Sequence, residues 1–172
     1  PTLLLRKMKK KLKPDPLDRS DLINRATALL GRRDYSRQEL WRKLSPLAES
    51  TETLNEVLDY LATLGWQSDQ RFTSQLVNSL VRRGRGPLRI SRDLSGKGID
   101  QSMAEEAIGQ TDEISWYEAA RAEAVKKLRT LKLPLSEARP KLYRFLLYRG
   151  FTPDIIQSVL QDPVLSGEED TA

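Results

Sequence analysis

The chain has 172 residues, a net charge of +5 and 38% apolar residues, and it contains neither cysteine nor histidine. That excludes thiolate nucleophiles, imidazole bases, thiolate metal sites and a disulfide framework, and it leaves carboxylate chemistry without supporting partners. No apolar run approaches the roughly 20 residues that a bilayer span requires, and Leu3-Leu4-Leu5 is too short for a secretory signal. The expectation is a cytoplasmic, monomeric, non-enzymatic protein without cofactor or metal, whose positive charge suits an acidic partner, nucleic acid first among them.

Taken in chain order, residues 1–17 read as a basic flexible arm, with RKMKKKLK from Arg6 to Lys13 followed by Pro14 and Pro16. Such a segment suits loose phosphate contact or simple solubilisation. Beyond it the chain repeats at intervals of about fifty residues, the mark of a helical array. Three units follow, 18–68, 69–113 and 114–162, and an acidic tail, 163–172, carries Glu168, Glu169 and Asp170. The expected fold is all-α, with three tandem three-helix repeats forming an elongated, curved array.

Within each unit a first, a middle and a last helix are expected. Leu22, Ala26 and Leu29/Leu30, then Phe72, Leu76 and Leu80, then Trp116, Ala120, Ala124 and Leu128 form apolar stripes at helical spacing on the first helices. The last helices span about 51–64, 100–110 and 152–161, with Leu54, Leu58 and Leu61, Met103 and Ala107, and Ile155 and Val159 turned inward. Four S/T-x-x-E patterns, Ser36 with Glu39, Thr53 with Glu56, Ser102 with Glu105 and Ser115 with Glu118, read as capping boxes.

The register of the array lies in the middle helices. Leu40-x-Arg42-x-Leu44, Ile90-x-Arg92-x-Leu94 and Leu142-x-Arg144-x-Leu146 put two aliphatics on one helical face and an arginine on another. The second and third continue as Lys97-Gly98-Ile99 and Arg149-Gly150-Phe151, which predicts helices ending in a left-handed glycine, with Ile99 packed on Leu94 and Phe151 on Leu146. Leu61, Gly65 and Trp66 predict the same ending, with Trp66 in the core. The first copy stops at Ser45-Pro46 instead.

Charge is segregated. The last helices carry Glu52, Glu56 and Asp59, Glu105 and Glu106, and Asp154, with no base. An acidic last helix would repel phosphate, which disfavours a helix-turn-helix transcriptional regulator, the alternative reading for units of this size. A metal-dependent nuclease would need converging carboxylates, and those present are scattered. The candidate binding residues are Arg42, Arg82, Arg83, Arg85, Arg89, Arg92, Lys97, Lys126, Lys127, Arg129, Lys141, Arg144 and Arg149. Arg and Lys at helix C-termini are also favoured by the macrodipole without any ligand, and the repeated arginine would equally serve a salt bridge to an acidic last helix. Arg83-Gly84-Arg85-Gly86-Pro87 reads as a phosphate-contacting loop or a flexible connection. Trp41, Trp66 and Tyr143 are candidates for base stacking.

Asp34-Tyr35-Ser36-x-x-Glu39-Leu40-x-x-x-Leu44, then Asp69-x-Arg71-Phe72, then Arg83-x-x-Gly86-Pro87-x-x-Ile90-x-x-x-Leu94-x-x-Lys97-Gly98-Ile99, with Arg144 to Phe151 downstream, resembles the RecX regulatory proteins from about Asp18 to Gln161. Gln67-Ser68-Asp69 departs from that family's usual Leu-Asp-Asp. The resemblance implies a modulator of the RecA recombinase that lies in the groove of the RecA filament on single-stranded DNA. It would restrain filament extension, ATP hydrolysis, strand exchange and the SOS response, contacting DNA directly or through RecA.

Overall fold

A computed structural model describes residues 13–166, so most of the basic arm and the Glu168–Asp170 tail lie outside the described residues. The described chain is helical: α1 Arg19–Leu30, α2 Arg37–Leu44, α3 Thr51–Thr63, α4 Asp69–Arg82, α5 Pro87–Gly96, α6 Gln101–Gly109, α7 Glu113–Leu131, α8 Leu135–Arg149, α9 Pro153–Leu160 and a final turn, α10 Pro163–Ser166. The first nine form three successive trios, within each of which every helix packs on the other two.

The apolar stripes explain this packing. Leu22, Ala26, Leu40, Leu44, Leu54, Val57, Leu58 and Leu61 close a core of the first trio alone. Phe72, Ile90, Leu94, Ile99, Trp116, Ala120, Ala124, Leu142, Leu146 and Phe151 belong to a single core that runs through the second and third trios, where α4 lies against α7. Small Ala120 and Ala124, both fully buried, let α7 approach closely. On the last helices Met103 and Ile155 are only partly buried, and Ala104 and Ile156 take the inner positions beside Ala107 and Val159.

Glycine endings set the turns. Gly65, Gly84, Gly98 and Gly150 all have φ between +75° and +97°. After each, the next N–H reaches back to the carbonyl of Leu61, Leu80, Leu94 or Leu146 at 3.0–3.1 Å, which satisfies carbonyls that the helix leaves open. Gly84 makes Arg83–Pro87 a fourth copy of this ending rather than a flexible connection. At Gly65 the backbone follows the expectation but the side chain does not, since Trp66 is 54% exposed and Gln67 takes the buried position beside it.

Only one of the four expected capping boxes is where the pattern placed it: Ser36 accepts from the Glu39 N–H, and the Glu39 carboxylate accepts from the Ser36 N–H. The others begin earlier, with Ser50, Asp100 and Asp112 accepting from the N–H groups of Thr53, Met103 and Ser115. The last residue with extended backbone before each helix carries a side chain that can cap, so the hydroxyl further on falls inside the first turn.

Leu17, which closes the segment read as an arm, pairs with the α2–α3 connection through its N–H to the Leu47 carbonyl (2.7 Å) and its carbonyl to the Glu49 N–H (2.9 Å). At the other end Leu165 is buried in the core, and Asp162 accepts from the Tyr117 hydroxyl and from Arg121. These bonds, led by the one from Tyr117, hold the Asp162 carboxyl below its ordinary range against its partial burial.

Candidate functional site

The middle helices α2, α5 and α8 meet end to end. At one joint the Ser36 hydroxyl at the start of α2 donates to the Lys97 carbonyl at the end of α5 (2.7 Å). At the next, the Gly86 N–H at the start of α5 donates to the Arg149 carbonyl at the end of α8 (2.9 Å), and the Leu88 N–H donates to the Gly150 carbonyl (2.9 Å). Ser36 and Gly86 occupy the same place in their repeats, as do Lys97 and Arg149. Each joint satisfies open carbonyls at one helix end with donors at the start of another, and it aligns the helix dipoles head to tail.

The glycines fit this contact. A Cβ on Gly86 would lie 2.3 Å from the backbone of Gly150 and Phe151, one on Gly150 would lie 2.3 Å from the Arg89 Cβ, and one on Gly98 would strike the Gln38 side chain. Within Arg83–Pro87, Gly84 and Gly86 are buried, so the backbone of this segment is packed into the joint, while the Arg83 side chain remains exposed.

The joints also sort the thirteen candidate cations. Arg42 donates to the Gly96 carbonyl (3.1 Å) and Lys97 pairs with Glu39 (2.9 Å), so both hold the first joint. Arg149 and Lys126 each stand 3.6 Å from the Glu123 carboxylate, which lies buried against Gly84. Lys127 and Arg149 also lie over the Phe145 ring. Arg89 approaches Asp93 at 3.6 Å and lies over Tyr148. Arg82, Arg83, Arg85, Arg92, Arg129, Lys141 and Arg144 make no ion pair, side-chain hydrogen bond or ring contact among the described residues. Arg92 and Arg144 stand at the same helical position in α5 and α8, both exposed, between aliphatics that are fully buried.

Glu39 and Glu123, the carboxylates that neutralise these cations, come from a middle and a first helix. Of the last-helix acids, only Asp59 makes an ion pair among the described residues, with Arg37 at 2.7 Å. Glu52, Glu56, Asp59, Glu105, Glu106 and Asp154 are all exposed. Burial works to raise the Glu39 pKa, but bonds from Lys97, Arg33 and the Ser36 N–H outweigh it and hold the carboxyl below its ordinary value.

The aromatic candidates divide differently from expectation. Trp41 and Trp66 are exposed, and Tyr143 is partly buried against the shared core. The residue missed is Tyr148, 75% exposed and capped on one side by Arg89, whose guanidinium carbon lies 5.9 Å from the ring centroid. Its spacing of four from Arg144 was the available signal, since it places both on one face of α8.

The residues around Asp34 and Asp69 that carry the family resemblance mostly build the first joint. Asp34 binds Arg71 (2.9 Å), whose guanidinium also caps the carbonyls of Gly65 and Trp66. Asp69 accepts from the Arg37 N–H at the start of α2 (2.8 Å) and from Gln67, which in turn donates to the Tyr35 carbonyl. Ser68 caps α4 by accepting from the Arg71 N–H (3.1 Å), a task a carboxylate at that position would also perform. No cluster of three or more acidic side chains suited to a metal, and no helix long and apolar enough to cross a membrane, occurs among the described residues.

Models of the second and third three-helix domains of RecX match residues 68–108 and 113–160. The chain is 40% identical to the regulatory protein RecX of Chromobacterium violaceum over 136 residues, covering 79% of this chain and 86% of that protein. It is 38% identical to the regulatory protein RecX of Salmonella typhi over 149 residues, covering 80% and 89%. The crystal structure of RecX from Lactobacillus salivarius superposes with a TM-score of 0.76 at 27% identity, covering 84% of this chain and 95% of that one. A second crystal structure of a regulatory protein RecX gives 0.77 at 19% identity, covering 94% and 87%, a likeness of fold. With three stacked helix trios, glycine-locked joints and these relatives, the chain belongs to the RecX family of regulatory proteins.

Proposed function

We propose that this protein restrains the RecA recombinase, lying in the groove of the RecA filament on single-stranded DNA and limiting its extension, ATP hydrolysis and strand exchange. It acts as a monomer in the cytoplasm, by occupancy and without catalysis. Its parts are three repeats (18–68, 69–113, 114–162), preceded by a basic segment (1–17) and followed by an acidic one (163–172). The observation that supports this most is the row of middle helices, on which Arg92 and Arg144 stand exposed at equivalent positions with no ion pair among the described residues. A repeat array with cations along one line can touch several subunits of a periodic partner. Exposed carboxylates on all three last helices disfavour the duplex-reading alternative, because the helix that would enter the major groove carries the wrong charge.

The test reverses Lys141, Arg92 and Arg144 to Glu together. Arg89 is left alone, because its stem lies against Gly150 and its loss would disturb the joint. The triple variant is expected to keep its helical circular dichroism and to need at least about tenfold more protein for half-inhibition of RecA ATPase, a loss of about 1.4 kcal/mol in binding. Unchanged inhibition by the folded variant overturns the reading.

A further inference from the structure

Near the joint between α5 and α8, three large hydrophobic side chains are exposed to water. Tyr148 is 75% exposed, Leu88 50% and Leu147 43%. The hydrogen bond from the Leu88 N–H to the Gly150 carbonyl, with Arg89 packed on Gly150 and over Tyr148, brings Leu88 to the end of α8 that carries Leu147 and Tyr148. Arg92, four residues on from Leu88, and Arg144, four before Tyr148, are exposed and make no ion pair among the described residues, and they flank the patch along the two helices. An apolar centre with an aromatic anchor inside a cationic rim has the anatomy of a protein-binding hot spot.

We infer that Leu88, Leu147 and Tyr148 form the anchor by which this protein grips an acidic protein surface that offers an apolar cleft, while the flanking arginines steer the approach. This rests on the reading above, in which that surface is the RecA filament, and it assigns the protein half of the contact to this patch. Two of the three anchors are aliphatic. A nucleic-acid strand gains from stacking on aromatic rings and from phosphate contacts, but it has no use for paired leucines. A protein cleft buries all three, and the cationic rim selects an acidic border through complementarity that mainly governs association rate.

The experiment compares Leu88→Ser/Tyr148→Ser with the wild-type chain and with Tyr148→Phe. It measures binding to a preformed RecA filament and, separately, to a free oligo-dT strand by fluorescence anisotropy. All three side chains are exposed, and circular dichroism checks that the fold is kept. The double variant is expected to bind the filament at least about tenfold more weakly and oligo-dT within about twofold of wild type, with Tyr148→Phe close to wild type on both. An equal loss on oligo-dT overturns the inference in favour of a base-stacking platform. Wild-type binding to the filament with an unaffected double variant overturns it while leaving the functional reading intact. A wild-type chain that ignores the filament overturns both.

Discussion

The two joints of the array share one geometry and differ in what holds them. Between the first and second trios the contact is polar: Ser36 to Lys97, Glu39 to Lys97, Arg42 to Gly96, Asp34 to Arg71 and Asp69 to the start of α2. No apolar core crosses it, and Gln38 Oε1 is buried there without a hydrogen-bond donor among the described residues. Between the second and third trios the same helix-end contact rests on a continuous apolar core, and Glu123 supplies the charge that Glu39 supplies at the first joint. A polar joint depends on pH and salt, whereas an apolar one depends on shape. The first trio is therefore the separable body, and the second and third form a single unit.

The largest effect is expected from steric damage to the apolar joint. Gly86→Ala places a methyl against backbone atoms that cannot rotate away, so about 3 kcal/mol of stability should be lost. Urea unfolding should show that loss in a transition monitored by Trp116 in α7. If the midpoint stays at the wild-type value, the backbone contact is not close.

The polar joint should instead yield to acid. Because the folded pKa of Glu39 lies below its unfolded value, its contribution is complete above the ordinary carboxylate pKa, about 4.3, and is lost as pH falls through the folded value. Hydrogen exchange at α2 should accelerate below about pH 4 before exchange at α5 or α8 does, and Glu39→Gln should remove that difference in pH response. Simultaneous acceleration across all three helices would contradict the division into two bodies.

The smallest effect sits at the end of α7, where Lys132 adopts φ +53° without being glycine. Left-handed backbone costs a side-chain-bearing residue about 1–2 kcal/mol, and glycine's greater freedom in the unfolded chain offsets part of the relief. Lys132→Gly should raise stability by up to about 1 kcal/mol in thermal unfolding without altering either joint. A destabilised variant would show that the lysine stem contributes more than its strain costs.

Much of the architecture was legible because it is local. Aliphatics four apart around Arg42, Arg92 and Arg144 report buried faces, and Lys97-Gly98-Ile99 and Arg149-Gly150-Phe151 report helix endings, since both depend only on residues within one or two turns. The first copy's departure at Ser45-Pro46 was visible too, and its reason emerged in the fold: the end of α2 meets the Leu17 pairing rather than another middle helix. The candidate site was less legible. Arg42, Lys97 and Arg149 are cations of the same kind as Arg92 and Arg144, yet the first three hold joints and the last two make no ion pair among the described residues.

By itself, the sequence determined the helices, their inward faces and the glycines that end them, because each follows from backbone geometry and periodic burial over a few residues. Only the tertiary structure decided which cations are neutralised, why Trp66 points outward and how Leu88 comes to bond the Gly150 carbonyl at the end of α8 that carries Tyr148. Those outcomes depend on contacts between residues as far apart as Ser36 and Lys97 or Gly86 and Arg149, which arise from stacking one repeat on the next and leave no periodic trace in either segment.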